Sequence, residues 1–290
     1  MPNKRIFYAC QAVAIDGAFV NGAQTVAVTT NFDIEPVLQL GQIDLVDALT
    51  LNPTVDVSIS RILSDTNTPV WSGAFLDNIR KDDSTITLSI GDDTSEDLTT
   101  SIADVHITGA GLTSISYNFS VDGVFTEEIG FSARGKDLSG GSVTAIKDVA
   151  SKPKTRQFLN VSASTIPNLV TSAGNLTNIT INSSIGRENI LELGKYNASG
   201  SFANLPAEVN VDFEVTADTL DTVEIPTVPS CSSPTGEAFE KQDIIIDVCG
   251  YTFTMENCKL SNVSYSGGDT GGGNATISFS YITFNSLTRS

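Results

Sequence analysis

Polar and apolar residues alternate with a period of two along most of this 290-residue chain. Residues 55–60 and 115–120 show the pattern most clearly, with an apolar side chain at every second position. Because successive side chains of a β-strand point to opposite faces, these segments predict strands with one buried face. Further strands are predicted at residues 6–15, 25–32, 84–90, 127–133, 179–182, 209–215, 242–248, 251–255 and 275–284. The fold class that follows is all-β.

Helical spacing is weak by comparison and predicts only minor helix. Residues 35–51 are the best helical candidate, because their apolar residues fit a period of 3.6 loosely, but Gly41 interrupts them. Residues 95–103 are the second candidate, since they begin with a serine and carry acidic residues in the first turn.

The chain also resembles itself. Residues 35–42 align without a gap on residues 188–195, and both blocks contain Glu-x-x-Leu-x-Leu-Gly. A proline and an alternating strand follow each block, which alternation alone does not explain. Two later matches keep the order, pairing 112–117 with 260–265 and 129–132 with 277–280. The repeat predicts an internal duplication.

The predicted organisation is two tandem domains of similar length. Residues 1–135 form the first domain and residues 156–290 the second. Residues 136–155 have the glycine, serine and lysine-proline composition of a linker.

The charge balance limits the partners of the protein. The chain has 34 acidic and 16 basic residues, a net charge of −18, and residues 1–150 carry 20 of the acids against 8 bases. Clustered Lys and Arg are needed to wrap duplex DNA or coat an anionic membrane, so neither partner is expected. No apolar stretch of signal-peptide length opens the chain, so a soluble protein made in a cytosol is expected. The four cysteines are then expected to be free thiols, although a Cys249–Cys258 bridge is left open.

The residues that most catalytic sites require are scarce, and no enzyme, metal or cofactor is predicted. The single histidine, His106, lies in an alternating stretch and is interpreted as a structural strand residue. Scattered cysteines give no zinc spacing. Acidic loops at residues 81–83 and 91–97 do not fit an EF-hand and are interpreted as solvated turns. A two-carboxylate glycosidase is disfavoured because the chain has one tryptophan.

Four segments, together with the duplication, resemble the tail tube proteins of long-tailed bacterial viruses. They are residues 4–9, 24–26, 38–42 and 52–57. The resemblance implies a β-sandwich or half-barrel with a short helix in each unit. In that family six units form a ring whose inner strands join into one barrel around the DNA channel. A chain with two units would build a pseudo-hexameric ring from a homotrimer.

The resemblance also implies partners and a location. Rings of the protein would stack head to tail, and other tail components would bind them: the terminator, the baseplate hub, the tape measure and, in a contractile tail, the sheath. DNA would pass through the lumen without specific binding, and no membrane is involved. The protein would reside in the virion tail after assembly in the host bacterial cytoplasm.

Strand alternation and the resemblance together nominate site residues. If the apolar positions face the core, four acids face the lumen: Asp56, Glu128, Asp212 and Glu214. Outward solvent is the alternative for these strands. The family's long loop, which reaches the adjacent ring, corresponds to residues 35–52 and 188–205. Its expected stacking residues are Val37, Leu38, Leu40, Ile43, Leu45, Ile190, Leu191, Leu193 and Tyr196. A helix or crossover packed on its own domain is the alternative for this loop.

Two other functions remain open at this point. A tube-initiating, baseplate hub or tail completion protein would share the unit but form a single ring. A two-domain adhesion or carbohydrate-binding β-sandwich would be a monomer, whose thermal stability could rise with Ca²⁺ or a glycan.

Overall fold

The computed structural model describes residues 11–41, 43, 46–64, 70–90, 103–139, 152–218, 240–248, 250–267 and 275–290. Strands dominate both halves of the chain. Those of the first half are β1 (Gln11–Ile15), β2 (Ala18–Phe19), β3 (Ala23–Asn31), β4 (Ile34–Val37), β5 (Asp47–Thr50), β6 (Thr54–Ile62), β7 (Gly73–Ala74), β8 (Ser84–Ile90), β9 (Ala103–Ser120) and β10 (Thr126–Ser139). Those of the second half are β11 (Gly174–Ser184), β12 (Arg187–Ile190), β13 (Gly200–Ala203), β14 (Glu208–Ala217), β15 (Gln242–Val248), β16 (Tyr251–Ser266), β17 (Thr276–Phe284) and β18 (Thr288–Arg289). Two short α-helices, α1 (Phe75–Ile79) and α2 (Asn168–Ala173), lie one in each half, and a 3₁₀ helix spans Arg156–Phe158. The all-β prediction is confirmed.

Eight strands of a 14-stranded antiparallel sheet form one continuous layer across both halves, in the order β3-β6-β10-β9-β11-β14-β17-β16. The junction between the halves is the ladder from β9 to β11, which runs from Ser120 opposite Asn178 to Ser114 opposite Ser184. The two halves are therefore hydrogen-bonded into one surface. We call this the main sheet.

The long strands β9 and β16 also contribute to outer strand pairs. The first half of β9 pairs with β8, which pairs with β1, and the first half of β16 pairs with β15 and β18. The apolar faces enclose a common core. In it the Tyr117 ring of β9 lies 4.6 Å from the Phe253 ring of β16, centroid to centroid, so the two halves also pack on each other.

The two halves have the same strand order and the same ladder irregularities. The ladder of β9 with β10 skips Thr113, the residue after Leu112. The ladder of β16 with β17 skips Ser261, the residue after Leu260. The ladders of β8 with β9 and β15 with β16 also shift at corresponding places, as do those of β3 with β6 and β11 with β14. A β-bulge changes twist and direction locally, so matching bulges give the two sheets matching curvature.

The pairing corrects one of the sequence matches. Ile129 lies opposite Ile59 and Ile115. In the second half, Phe213 and Val263 correspond to Ile59 and Ile115, and the residue opposite both of them is Phe279. The match of 129–132 with 277–280 was therefore wrong by two residues. Both segments alternate, and a two-residue shift preserves the alternation, so the pattern could not fix the register.

The helix predicted at 35–51 was also wrong, because this segment contains the hairpin of β4 and β5. Most of the second helical candidate, at 95–103, lies outside the described residues. The expected linker, 136–155, begins inside β10, which continues to Ser139, and residues 140–151 are not described.

Cys258 is a free and buried thiol, and burial raises its pKa to about 12. The other three cysteines, Cys10, Cys231 and Cys249, lie outside the described residues. No helix in the described part of the chain is long and apolar enough to cross a membrane.

Candidate functional site: a polar sheet face with two open edges and two arms

The solvent face of the main sheet is mostly polar. In β6 the core side presents Val55, Val57 and Ile59, whereas Asp56 and Ser58 between them are exposed. The same alternation continues through β14 and β17. The outward positions hold glutamate, asparagine, aspartate and threonine on β14, and threonine and serine on β17 before Ile282 and Phe284 at its end. A sheet with one buried and one solvated face requires this pattern.

Five carboxylates stand on this face among the described strands, and Lys259 of β16 lies on it as well. They are Asp56, Glu128, Glu208, Asp212 and Glu214. The four acids predicted from the sequence therefore lie on one continuous surface. Glu208 was not predicted, although it occupies the same face of β14 as Asp212 and Glu214.

Asparagine side chains hold two of the four predicted acids in place. Asn31 Nδ2 donates to Asp56 Oδ2 at 2.8 Å, and Asn182 Nδ2 donates to Asp212 Oδ2 at 3.3 Å. Glu128 and Glu214 stay exposed between serine and asparagine neighbours on the adjacent strands. The face thus presents fixed negative charge within a neutral, hydrophilic surface, which repels other anions.

The two outermost strands of the main sheet, β3 and β16, are open edges among the described residues. β3 pairs only with β6, and the second half of β16 pairs only with β17. Tyr265 on β16 corresponds to Tyr117 on β9. Tyr117 is fully buried, whereas Tyr265 is 48% exposed, because β11 and the outer strands cover only the first of these two positions. Unpaired edge strands are templates for association with another chain.

Two hairpins project from one end of the main sheet. The first arm, residues 34–50, joins β3 to β6 through β4 and β5, and the second arm, residues 187–203, joins β11 to β14 through β12 and β13. The arms touch where Tyr196 Oη donates to the backbone oxygen of Leu51 at 3.4 Å.

Each arm ends in the same turn. The turns contain Leu38 to Gly41 in the first arm and Leu191 to Gly194 in the second, and both glycines have φ of 85°. Glycine adopts this left-handed conformation without strain. The leucine before each glycine is fully solvated, with relative exposures of 101% for Leu40 and 106% for Leu193.

The structure exposes most of the residues predicted for stacking. Seven of the nine are exposed: Leu38, Leu40, Ile43, Ile190, Leu191, Leu193 and Tyr196. Val37 is half-buried, and Leu45 lies outside the described residues. Exposed Ile34, Leu49 and Phe202 add to the apolar surface of the arms and were not predicted. A concentration of apolar side chains of this kind in water indicates an interaction surface.

The second arm is fixed to the first half of the molecule. Arg187 donates through Nη1 to the backbone oxygens of Ile79 (2.9 Å) and Leu112 (3.2 Å), and burial lowers the pKa of this guanidinium. A Cβ on Gly111 would lie 2.2 Å from Arg187 Cζ, so a larger residue there would displace this guanidinium.

A second anchor involves the acidic loop that was interpreted as a solvated turn. Asp82 Oδ2 accepts a hydrogen bond from the backbone nitrogen of Ser201 at 3.0 Å and lies 3.5 Å from Arg134 Nη2. Its carboxylate therefore positions the second arm.

A buried charge cluster joins the C-terminus to the first half. Glu127, fully buried on β10, accepts hydrogen bonds from Arg61 and Tyr117, and from Arg289 at 2.8 Å. Trp71 Nε1 donates to Tyr117 Oη at 2.8 Å. Burial and the neighbouring Glu127 raise the pKa of Tyr117 well above its ordinary value, so its hydroxyl stays protonated. No sequence pattern predicted this cluster.

His106 lies on β9, as predicted. Its Nδ1 is 3.2 Å from Thr87 Oγ1 on β8, and its Nε2 is 4.0 Å from Asp104 Oδ2. Among the described residues, no group of three or more His, Cys, Asp or Glu side chains is arranged to hold a metal ion.

No protein-family model and no curated protein matches the sequence. Two solved structures resemble parts of the fold. One is the sheath/tube terminator of an extracellular contractile injection system, PVC, in its extended state, with 12% identity and a TM-score of 0.39 over 48% of this chain and all of the other. The other is Hcp1 from Flavobacterium johnsoniae, with 12% identity and a TM-score of 0.30 over 47% of this chain and 99% of the other. Both likenesses are too distant to assign a function to this chain.

Proposed function

We propose that this protein is the subunit of a tail tube of the viral kind, in which three copies close a pseudo-hexameric ring and rings stack through the arms. The polar face of the main sheet lines the channel and DNA passes along it. In this role the protein binds its own copies and other tail components, assembles in the host cytoplasm, resides in the virion and catalyses no reaction.

The observation that carries the proposal is the junction of β9 with β11. This ladder joins one half of the chain to the other through seven paired positions. The open edge of β16 corresponds to β9, and the open edge of β3 corresponds to β11. A second copy can therefore repeat the same junction between chains, since a head-to-tail interface with a constant rotation closes into a ring.

The repeated order of strands and bulges supports an internal duplication. If each chain carries two equivalent units, a ring with six units contains three chains. Closing the ring removes the open edges, which would otherwise pair without control.

The internal junction predicts the register between copies. Ser116 on β9 lies opposite Asn182 on β11, and the corresponding residues are Ser264 and Thr29. Ser264 of one copy should therefore face Thr29 of the next.

A disulfide cross-link tests this register. Under oxidising conditions, Thr29→Cys combined with Ser264→Cys should give a covalent trimer on a denaturing gel, because opposed residues lie within disulfide reach. Thr25→Cys with Ser264→Cys is the matched control, because Thr25 lies on the same face of β3 but four residues away, roughly 13 Å along the strand.

Electron microscopy of the cross-linked protein should reveal hollow rings. Monomers alone at concentrations that give wild-type assemblies, or equal cross-linking of the control pair, would refute the ring.

A further inference from the structure

An open apolar cavity of about 200 Å³ lies where β9 ends and β11 begins. Its apolar lining includes Phe119, Phe125, Leu159, Val161, Leu176 and Ile179. Arg156 is also part of the wall and is exposed. The cavity therefore combines an apolar interior with a cation that solvent can reach.

The cavity and the arms lie at opposite ends of the main sheet. Both arms leave where β6 and β14 begin, since Asn31 is paired with Thr54 and Ser184 with Glu208. The cavity lies beside the turn that joins β9 to β10, at the far end of the same strands. If rings stack head to tail, the arms of one ring meet the cavity end of the next.

The side chains at the arm tips suit such a cavity in size. Each tip carries a fully solvated leucine, Leu40 or Leu193, on a turn of the same geometry. An apolar cavity of about 150 Å³ can accommodate benzene, which is larger than the side chain of leucine, so the cavity has room for a tip.

The charges beside the second tip also suit the cavity. Glu192 precedes Leu193, and its carboxylate is 2.6 Å from Lys195 Nζ on the exposed surface of the arm. Insertion of Leu193 would bring Glu192 towards Arg156, a charge of opposite sign.

We propose that this cavity receives the leucine tip of an arm from a second copy of the chain in the adjacent ring. The inference rests on the proposed function, because it requires stacked rings. The cavity lies beside the β9–β11 junction inside each chain, so each chain supplies one receptor.

Cross-linking between the tip and the cavity wall tests this inference. In a chain with Cys10, Cys231 and Cys249 replaced by serine, Leu193→Cys combined with Val161→Cys should link copies in sedimented tubes. Val161 is chosen because it lines the cavity and is exposed. Leu193→Cys with Leu138→Cys is the control, because Leu138 is more exposed than Val161 but lies on β10 away from the cavity.

A filled cavity provides a second test. Leu176→Trp should reduce the sedimentable tube fraction by about tenfold, which corresponds to a modest loss of contact energy, and should leave the Thr29–Ser264 trimer link intact. Tubes that form normally with Leu176→Trp, or tubes in which the Val161 pair links no better than the control pair, would overturn the inference and leave the ring standing. Failure of the Thr29–Ser264 link would instead refute the proposed function, and this inference with it.

Discussion

Glu127 and Glu128 are consecutive residues with opposite environments. Glu127 is fully buried with Arg61 and Arg289, whereas Glu128 is exposed on the polar face. A buried charge is tolerated only when partners compensate it, so the cluster depends on the Glu127 carboxylate. This dependence can be measured against the neighbouring glutamate.

Glu127→Gln should lower the free energy of unfolding by about 3–5 kcal/mol, because two buried guanidinium groups lose their anion. Urea denaturation followed by circular dichroism would measure the change. Glu128→Gln is the matched control and should change stability by less than about 0.5 kcal/mol. A similar cost for both variants would show that the buried cluster contributes no special stability.

The alternating pattern could predict the side of β10 on which each of the two glutamates lies, but not the partners of Glu127. Alternation places Glu127 on the same side of β10 as Phe125 and Ile129, so a buried carboxylate was implied. Its partners Arg61 and Arg289 lie 66 and 162 residues away in the chain. Only the folded ladder of β6 with β10 brings Arg61 and Glu127 together, and no local spacing signals this contact.

The arms illustrate what the sequence can and cannot predict about an element. The repeated Leu-x-Leu-Gly blocks identified both arms and most of their exposed residues. The helical interpretation of 35–51 was wrong because Leu38, Leu40 and Leu49 are exposed and do not pack on the core of their own chain. Periodicity reports burial within one chain, so it misleads where apolar residues are exposed in that chain.

Arg187→Ala should release the second arm while leaving the main sheet folded. The guanidinium holds backbone oxygens of Ile79 and Leu112, and loss of such partners costs about 1–3 kcal/mol locally. Limited proteolysis should then cut within 187–203 faster than in the wild type, and tubes should be lost while rings persist. Lys195→Ala, on the exposed surface of the same arm, is the control. Unchanged proteolysis of the Arg187 variant would contradict this role.

At the scale of the whole molecule, the distribution of charge matters more than the total. The sequence has a net charge of −18, and its strand alternation predicted that four acids share one surface. The main sheet places those acids and Glu208 on one face that spans both halves. The continuity of that surface depends on the β9–β11 junction. Neither strand carries a local signal for its partner, so the sequence alone could not establish that continuity.

Reversing charge on the polar face should convert a repelling surface into a binding one. Asp56→Lys, Asp212→Lys and Glu214→Lys, combined in one chain, should give assembled rings affinity for a short DNA duplex. This affinity should fall by roughly 10³-fold or more between 50 and 200 mM salt, because released counterions drive the binding. Fluorescence anisotropy with a labelled duplex would measure it.

The control variant combines Asp77→Lys, Asp122→Lys and Glu256→Lys, three substitutions at exposed positions elsewhere in the chain. Equal DNA affinity of the two triple variants would contradict a channel lined by the polar face.

The β9–β11 junction has a mechanical consequence for a ring of three chains. Within each chain the continuous peptide backbone and the shared core around Tyr117 also hold the two sides of that junction together. In the proposed ring, the corresponding seam between copies would rely on non-covalent contacts alone. A tube that is stretched or pressurised from within should therefore split along three lines rather than six, and the fragments should be intact single chains.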